Sequence, residues 1–299
     1  MEKFTLAQFN EMFPDEGTCL DLVVDILYPA GINCRMCEEI TKHHRLTDRK
    51  AYSCRECRTQ VYPLAGTIFA KSSTPLKSWF YAMYLMASTR TGISAKQLER
   101  ELGVTYKTAL RMFRQIRDLM NENTSQLFGE VEVDETYVGG KHSGKRGRGA
   151  EGKAVVMGMV ERQGNARVFV TPDVKARTLI PIIQEHIPTA EGTVIYTDEL
   201  HSYDRLGKLG YAHETVQHSA KQYVAGNAHV NNVEGLWSNV KRGIDGVNHA
   251  VSPKYLQGYL DSYVFRRNHR NDDQPMFETL SGRVNGKRYG QFGKYNPVQ

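Results

Sequence analysis

Read for the spacing of its apolar positions, the chain changes period several times. Phe4, Leu6, Phe9 and Met12-Phe13 recur at roughly helical spacing, as expected of a helix packed by one face. At Ser73-Thr74-Pro75 a capping hydroxyl and an early proline predict a helix start. Trp79, Phe80, Met83, Tyr84 and Met86-Ala87 supply its buried face, and Thr91-Gly92 ends it. Ser94 to Ala109 has the layout of a helix-turn-helix. Ser94 caps a short helix, Gly103 permits the sharp turn, and Thr105 caps a second helix that turns Ala109, Leu110 and Phe113 inward. Tyr106, Lys107, Arg111 and Arg114 then face outward, available for base edges and phosphates.

At Gly129 the period drops to two. Glu130 to Val138 alternates as a strand does and stops at Gly139-Gly140, with Val131 and Val133 on one face and Glu132 and Asp134 on the other. Lys153 to Glu161 and Ala166 to Val170 read as two more strands, joined by a hairpin at Gln163-Gly164-Asn165. Ala176 to Ile187 is an amphipathic helix, Thr193 to Thr197 a β-branched strand, and His213 to His218 a fifth strand. His201, Ser202 and Tyr203 begin a helix between those two strands. Val230 to Lys241 is helical, with Val233, Leu236, Trp237 and Val240 on its core side. The order predicts an α/β fold with an RNase H-like mixed sheet, behind a helical domain.

Composition changes this picture little, but charge sharpens it. With 40% hydrophobic and 24% charged residues the chain is ordinary globular material, and 299 residues favour two or three modules over one core. No apolar run approaches the ~18 residues that a membrane span needs. Met1-Glu2-Lys3-Phe4 lacks the basic-then-apolar layout of a secretory signal, which points to a cytoplasmic protein. The net charge of +6 conceals an uneven split. Residues 1–27 carry six acids and one base, leaving about +11 on the remainder. A glycine-spaced basic loop, with Lys145, Arg146 and Arg148, lies between the first two strands and suits a DNA backbone. No phosphate-binding glycine loop is present, so nucleotide use is not indicated.

Of the five cysteines, four form Cys34-x-x-Cys37 and Cys54-x-x-Cys57, with 16 residues between the pairs. That spacing is a zinc-ribbon spacing: each pair makes a knuckle, and two knuckles offer four thiolates to one Zn²⁺. A redox pair would need a strand-helix context that is missing, and disulfides an oxidising compartment. His43 and His44 read as surface residues, and Cys19 as a buried bystander.

The acids of the sheet domain suggest a second metal chemistry. Asp134 lies on the first strand, Asp198 ends the fourth, and Glu234 lies on a helix with 35 residues between it and Asp198. Phosphodiester cleavage needs carboxylates that converge on two divalent ions ~4 Å apart, and oxygen ligands select Mg²⁺ or Mn²⁺. Lys241, seven residues after Glu234, shares its helix face and suits a DNA phosphate. Glu130, Glu132, Glu135 and Glu199 read as solvated strand-edge charges. His229 reads equally well as a surface residue or as a partner of nearby Glu234, and Trp237 as core.

Three segments carry a family resemblance: Asp134-Glu135-Thr136-Tyr137-Val138-Gly139-Gly140-Lys141, Tyr196-Thr197-Asp198, and His229 through Gly243. With the ribbon, the stretch from about Leu20 to Arg270 resembles bacterial insertion-sequence DDE transposases, and more narrowly the zinc-ribbon-bearing, ISXO-like group related to eukaryotic Merlin elements. The resemblance implies a DNA-associated bacterial enzyme acting on the inverted-repeat ends of its own element. Water would cut at the end, and the freed 3′-OH would attack target DNA. Asp134 and Asp198 would be ligands, with Lys241 on DNA. For the third position the sequence offers both Asn231 and Glu234; the 35-residue gap and the Lys241 spacing favour Glu234, with Asn231 assisting. Paired double-stranded ends imply at least a homodimer during catalysis. The expected modules are an acidic leader (1–27), a zinc ribbon (28–70), a helix-turn-helix (72–127), the catalytic domain (129–270) and a basic tail (271–299). A DNA-binding regulator with an inactive domain, or a cellular nuclease on the same fold, would share these features.

Overall fold

The computed structural model describes residues 4–122, 126–139, 153–216 and 229–285. Its contacts divide the chain into two compact units. The residues up to Leu119 join those from Asn271 onward, and Met120–Arg270 form the other unit. Among the described residues no helix is long and apolar enough to cross a membrane.

The first unit opens with α1 (Leu6–Met12) and α2 (Glu16–Leu27), whose starts the sequence sets by side-chain caps. Thr5 and Gln8 form a reciprocal capping box, and Asp15 accepts from the Thr18 N–H at 2.8 Å. The ribbon follows as β1 (Asn33–Cys34) paired with β2 (Glu39–Ile40), then β3 (His43–Arg45), β4 (Tyr52–Cys54) and β5 (Gln60–Val61) in an antiparallel sheet. Lys50 reaches Glu16 at 2.6 Å and Arg45 reaches Asp21 at 2.7 Å. Part of the leader's negative charge is therefore matched by the ribbon that follows it.

Helix α3 (Leu76–Ser88) buries Trp79, Phe80, Met83 and Met86 as expected, but its start differs. Pro75 occupies the cap position without a capping hydroxyl. Ser72 instead accepts from the Trp79 indole at 3.0 Å. The α3 amides of Leu76 and Lys77 donate to Glu16 of α2, at 2.7 and 3.1 Å. A carboxylate from a neighbouring helix thus satisfies the orphan N–H groups and faces the positive end of the dipole. Ser94 caps α4 (Ala95–Leu102), Gly103 takes the left-handed conformation at φ 63°, and α5 (Tyr106–Leu119) completes the helix-turn-helix. Leu110 is half-buried, whereas Ala109, Met112, Phe113 and Ile116 form the core side. The segment read as a basic tail contains α9 (Met276–Gly282). Phe277 packs there with the rings of Phe9, Phe13 and Phe80.

In the second unit β6 (Glu130–Val138), β7 (Ala154–Glu161) and β8 (Ala166–Thr171) form an antiparallel meander, with β9 (Val194–Thr197) and β10 (Ala212–Thr215) added in parallel beside β6. The spatial order is β10-β9-β6-β7-β8, the mixed sheet that the element order predicts. Between β9 and β10 the chain makes short 3₁₀ turns, His201–Tyr203 and Gly207–Leu209, where a longer helix was expected. Two-residue alternation gives the sheet two apolar faces. Val131, Val133, Met157 and Met159 pack against α6 (Ala176–His186), through Leu179 and Ile183. Val156, Val160 and Val168 pack against α7 (Asn231–Gly243) and α8 (Pro253–Asn268).

Strand β8 would leave an open edge, a pairing hazard for any sheet. Two α8 amides close it. Gln257 accepts from the Val170 N–H and donates to the Val168 carbonyl, both at 2.9 Å. Asn268 accepts from the Ala166 N–H at 2.8 Å.

The Glu16 cap carries a pH prediction. Burial alone would raise its carboxyl, but Lys50 and the two α3 amides outweigh burial and hold it below its usual 4.5. A depressed folded-state pKa means that the charged contact stabilises fully above pH 4.5 and is lost as pH falls below it. Glu16→Gln is expected to cost roughly 1 kcal/mol at pH 7 by urea unfolding. Its deficit should close on acidification; a pH-independent deficit would contradict the charged cap.

Candidate active site

The three acids come from three elements of one sheet unit. Asp134 projects from β6 toward α7, Asp198 directly follows β9, and Glu234 lies in the first turn of α7. Since β6 and β9 run parallel side by side, the first two acids leave the sheet on neighbouring strands. The Asp134 carboxyl is pushed up to about 6. Burial is the main cause, the Trp237 indole N–H opposes it, and the charges of Asp198 and then Glu234 add to it. Asp134 therefore feels both other acids in a site that disfavours negative charge, a penalty that a cation would reverse. The donors are hard carboxylate oxygens, which fit Mg²⁺ or Mn²⁺. Asn231, Glu234, Ser238 and Lys241 form an exposed stripe along α7.

Trp237 is a core residue, as read from the sequence, with a further contact. It is 4% exposed, and its Nε1 donates to Asp134 Oδ2 at 2.9 Å. Gly158 of β7, paired in register with Asp134, makes room for the ring. A Cβ there would lie 2.5 and 2.6 Å from Trp237 Cζ2 and Cη2. An isolated glycine inside an apolar strand was the sequence signal for this close approach.

Three acids read as solvated strand charges are held by partners. Glu132 has no exposed surface. Its Oε2 accepts from the Asn232 and Val233 N–H groups at 2.7 and 3.1 Å, and Oε1 from Asn232 Nδ2 at 2.9 Å and Arg162 Nε at 3.1 Å. The pattern expected a strand-edge charge, but this face of β6 is covered by the start of α7. Glu130 accepts from Arg162 and from the Tyr196 hydroxyl, and Glu135 from the Tyr203 hydroxyl at 2.5 Å. Glu199 is exposed, as expected. His229 brings Nδ1 to 3.1 Å from Glu132 Oε1, a neighbour that neither of its two readings named.

The cysteines make a different centre. All five are thiols, and Cys19 is fully buried, its thiol pushed up to about 12 chiefly by that burial. The Sγ atoms of Cys34, Cys37, Cys54 and Cys57 lie within 4.8 Å of one another. The Cys34–Cys57 and Cys37–Cys54 separations are 3.4 and 3.9 Å. Tetrahedral zinc at ~2.3 Å from each sulfur needs ~3.8 Å between sulfurs, so the cluster fits. Both knuckles fold alike: the Glu38 and Arg58 N–H groups return to the Cys34 and Cys54 carbonyls, each from a left-handed residue. The Thr41 hydroxyl and backbone donors lower Cys54 toward thiolate, and Cys57 is lowered too, chiefly through its contact with Thr59. Among the described residues no other group of three or more potential ligands is gathered this tightly; the three carboxylates stand further apart.

On α5, Tyr106, Lys107 and Arg114 are exposed. Arg111, expected to face outward with them, turns inward. Its Nη2 donates to the Ala70 carbonyl at 2.8 Å and its guanidinium lies 5.9 Å from the Trp79 ring centre. A long cationic side chain with a carbonyl and an indole in reach has reason to fold back. Lys145, Arg146 and Arg148 lie outside the described residues.

The Gly158 slot is testable. Gly158→Ala should cost about 1–3 kcal/mol through overpacking, and it should shift Trp237 emission as the indole leaves Asp134. Urea unfolding and tryptophan fluorescence read both effects; wild-type values for both would contradict the packing described.

Comparison with known proteins matches the sheet domain and the ribbon. Residues 126–268 match the ISXO2-like transposase domain, and residues 14–60 the transposase zinc-ribbon domain. The chain is 28% identical over 273 residues to a protein of the transposable element ISH50 of Halobacterium salinarum, covering 85% of this chain and 92% of that one. It is also 28% identical over 99 residues to a transposase-like protein of Haemophilus influenzae, covering 33% and 77% respectively. Among solved structures, the Mos1 transposase paired-end complex with left transposon end aligns at 12% identity and a TM-score of 0.24, over 70% of this chain and 80% of that one. With its ribbon and its sheet domain both matched, the chain belongs to the zinc-ribbon-bearing, ISXO2-like transposases.

Proposed function

We propose that the protein cuts DNA at the inverted-repeat ends of its own element and joins the freed 3′-OH to target DNA, with Asp134, Asp198 and Glu234 as ligands for Mg²⁺ or Mn²⁺. The observation that carries this reading is the carboxyl of Asp134, half-buried on β6, bonded to the Trp237 indole and within the fields of Asp198 and Glu234. When bound, divalent ions supply Lewis-acid polarisation of the scissile phosphate and activation of the attacking oxygen. The chain's own residues supply placement. Asp134 is fixed by a sheet strand and by the Trp237 indole. Asp198 is steadied by accepting from the Leu200 N–H at 3.0 Å. Glu234 has the better claim to the third position, since its charge reaches Asp134, while Asn231 begins the helix one turn earlier. Lys241, exposed on the same face of α7, would hold a DNA phosphate.

The first unit would read the DNA. Tyr106, Lys107 and Arg114 of α5 are exposed for the groove and backbone, and the basic loop with Lys145, Arg146 and Arg148 would add backbone contacts. The zinc-bound ribbon would act as a scaffold and not as a catalyst, because four thiolates leave zinc no open position. Joining two ends requires at least two copies in the DNA complex.

The test is cleavage and strand transfer on end-containing DNA with Mg²⁺, alongside binding of the same DNA. Asp134→Asn, Asp198→Asn and Glu234→Gln should each lose about 100-fold or more, because several kcal/mol of charge stabilisation vanish at tenfold per 1.4 kcal/mol. Asn231→Ala should retain most activity, and all four should still bind DNA. Wild-type protein that binds the ends and never cuts them would favour a regulator.

A further inference from the structure

Two carboxylates of β6 face α7, and only Asp134 belongs to the proposed cation site. Glu132 is wholly buried two residues earlier. Shutting a carboxylate away from water costs several kcal/mol unless donors surround it. Here the donors come mostly from the start of α7, through the Asn232 and Val233 amides and the Asn232 side chain. Val230, at the cap position of α7, makes no side-chain capping bond. Glu132 therefore does from a strand what a capping Asp does within a helix, and its charge suits the helix dipole. Arg162, 8% exposed, completes the arrangement by bridging Glu132, Glu130 and the His229 carbonyl. One turn later α7 meets β6 again, where Trp237 donates to Asp134. Glu234 lies between these two attachments.

We propose that Glu132 is a positioning residue whose cap on α7 fixes where Glu234 stands relative to Asp134. The proposal rests on the reading of Asp134 and Glu234 as cation ligands. It predicts that Glu132 governs cation affinity through Glu234 and contributes no ligand itself.

Terbium(III), a hard cation that oxygen ligands bind, provides a readout independent of activity. The Trp237 indole nitrogen stands 2.9 Å from Asp134 Oδ2, close enough to sensitise luminescence from an ion held there. On full-length protein, Glu132→Ala should weaken terbium binding about 10–100-fold, as loss of an orienting partner does. Glu234→Gln should cause a fall of similar size. The double variant should bind no more weakly than either alone, since both remove one contribution. Glu132→Gln keeps an acceptor for the two α7 amides and should recover most of the affinity. An amide could not replace a ligating carboxylate in this way, so the rescue separates positioning from ligation.

Wild-type affinity in Glu132→Ala, additive losses in the double variant, or a Gln variant as impaired as Ala would each overturn the inference. If Glu132→Ala does not fold, the Gln variant decides: a loss as large as that of Glu234→Gln overturns it. If Asp134→Asn and Glu234→Gln leave terbium affinity unchanged, the site reading fails and takes this inference with it. If those two weaken binding while Glu132→Ala does not, the inference alone fails.

Discussion

A carboxylate buried within a sheet unit is stable only when it is thoroughly hydrogen-bonded. Glu132 meets that condition by binding the first turn of α7, and the rest of the acid site is arranged around the bond. Strand β6 is rigid because β7 and β9 flank it. Helix α7 is bound to that strand at Glu132 and again at Asp134, through Trp237. The slot at Gly158 lets the indole lie flat enough to reach. An acid from a helix and an acid from a strand are thereby brought into one field.

The sequence showed the supports more clearly than the contacts. Alternation from Glu130 to Val138, the hairpin around Gly164 and the stripe on α7 are one-dimensional signals, and the structure has each element where they put it. The facing partner is not a one-dimensional signal. Glu132 alternates with valines just as a solvated charge would, and only the approach of α7 from 100 residues away makes it a cap. The same holds for α3, whose cap comes from Glu16, 60 residues earlier in the chain, and not from the adjacent Ser73 or Thr74. Arg111 was misplaced for a related reason. Its helical position is outward, but a long side chain can fold back to a carbonyl and a ring. The cysteine spacing was legible because a tetrahedral ligand set constrains the chain locally, knuckle by knuckle.

The two candidate metal centres differ as their donors do. Four thiols within 4.8 Å make a closed, soft set in a ribbon of very short strands with little core of its own. There, metal binding would supply folding free energy. The carboxylates are hard, more widely spaced, and include the exposed Glu234, which leaves room for a substrate phosphate. The uneven charge also has a local meaning: the acidic leader is not an isolated tail, because Glu16 and Asp21 pair with Lys50 and Arg45 of the ribbon.

The central claim is that Asp134, Asp198 and Glu234 share a divalent cation. The most direct measurement is anomalous X-ray scattering from crystals of the protein soaked in Mn²⁺. A peak bounded by these three carboxylates, at about 2.2 Å from oxygen, is the predicted result. Saturating Mn²⁺ with no peak there, or a peak held by other side chains, would contradict it.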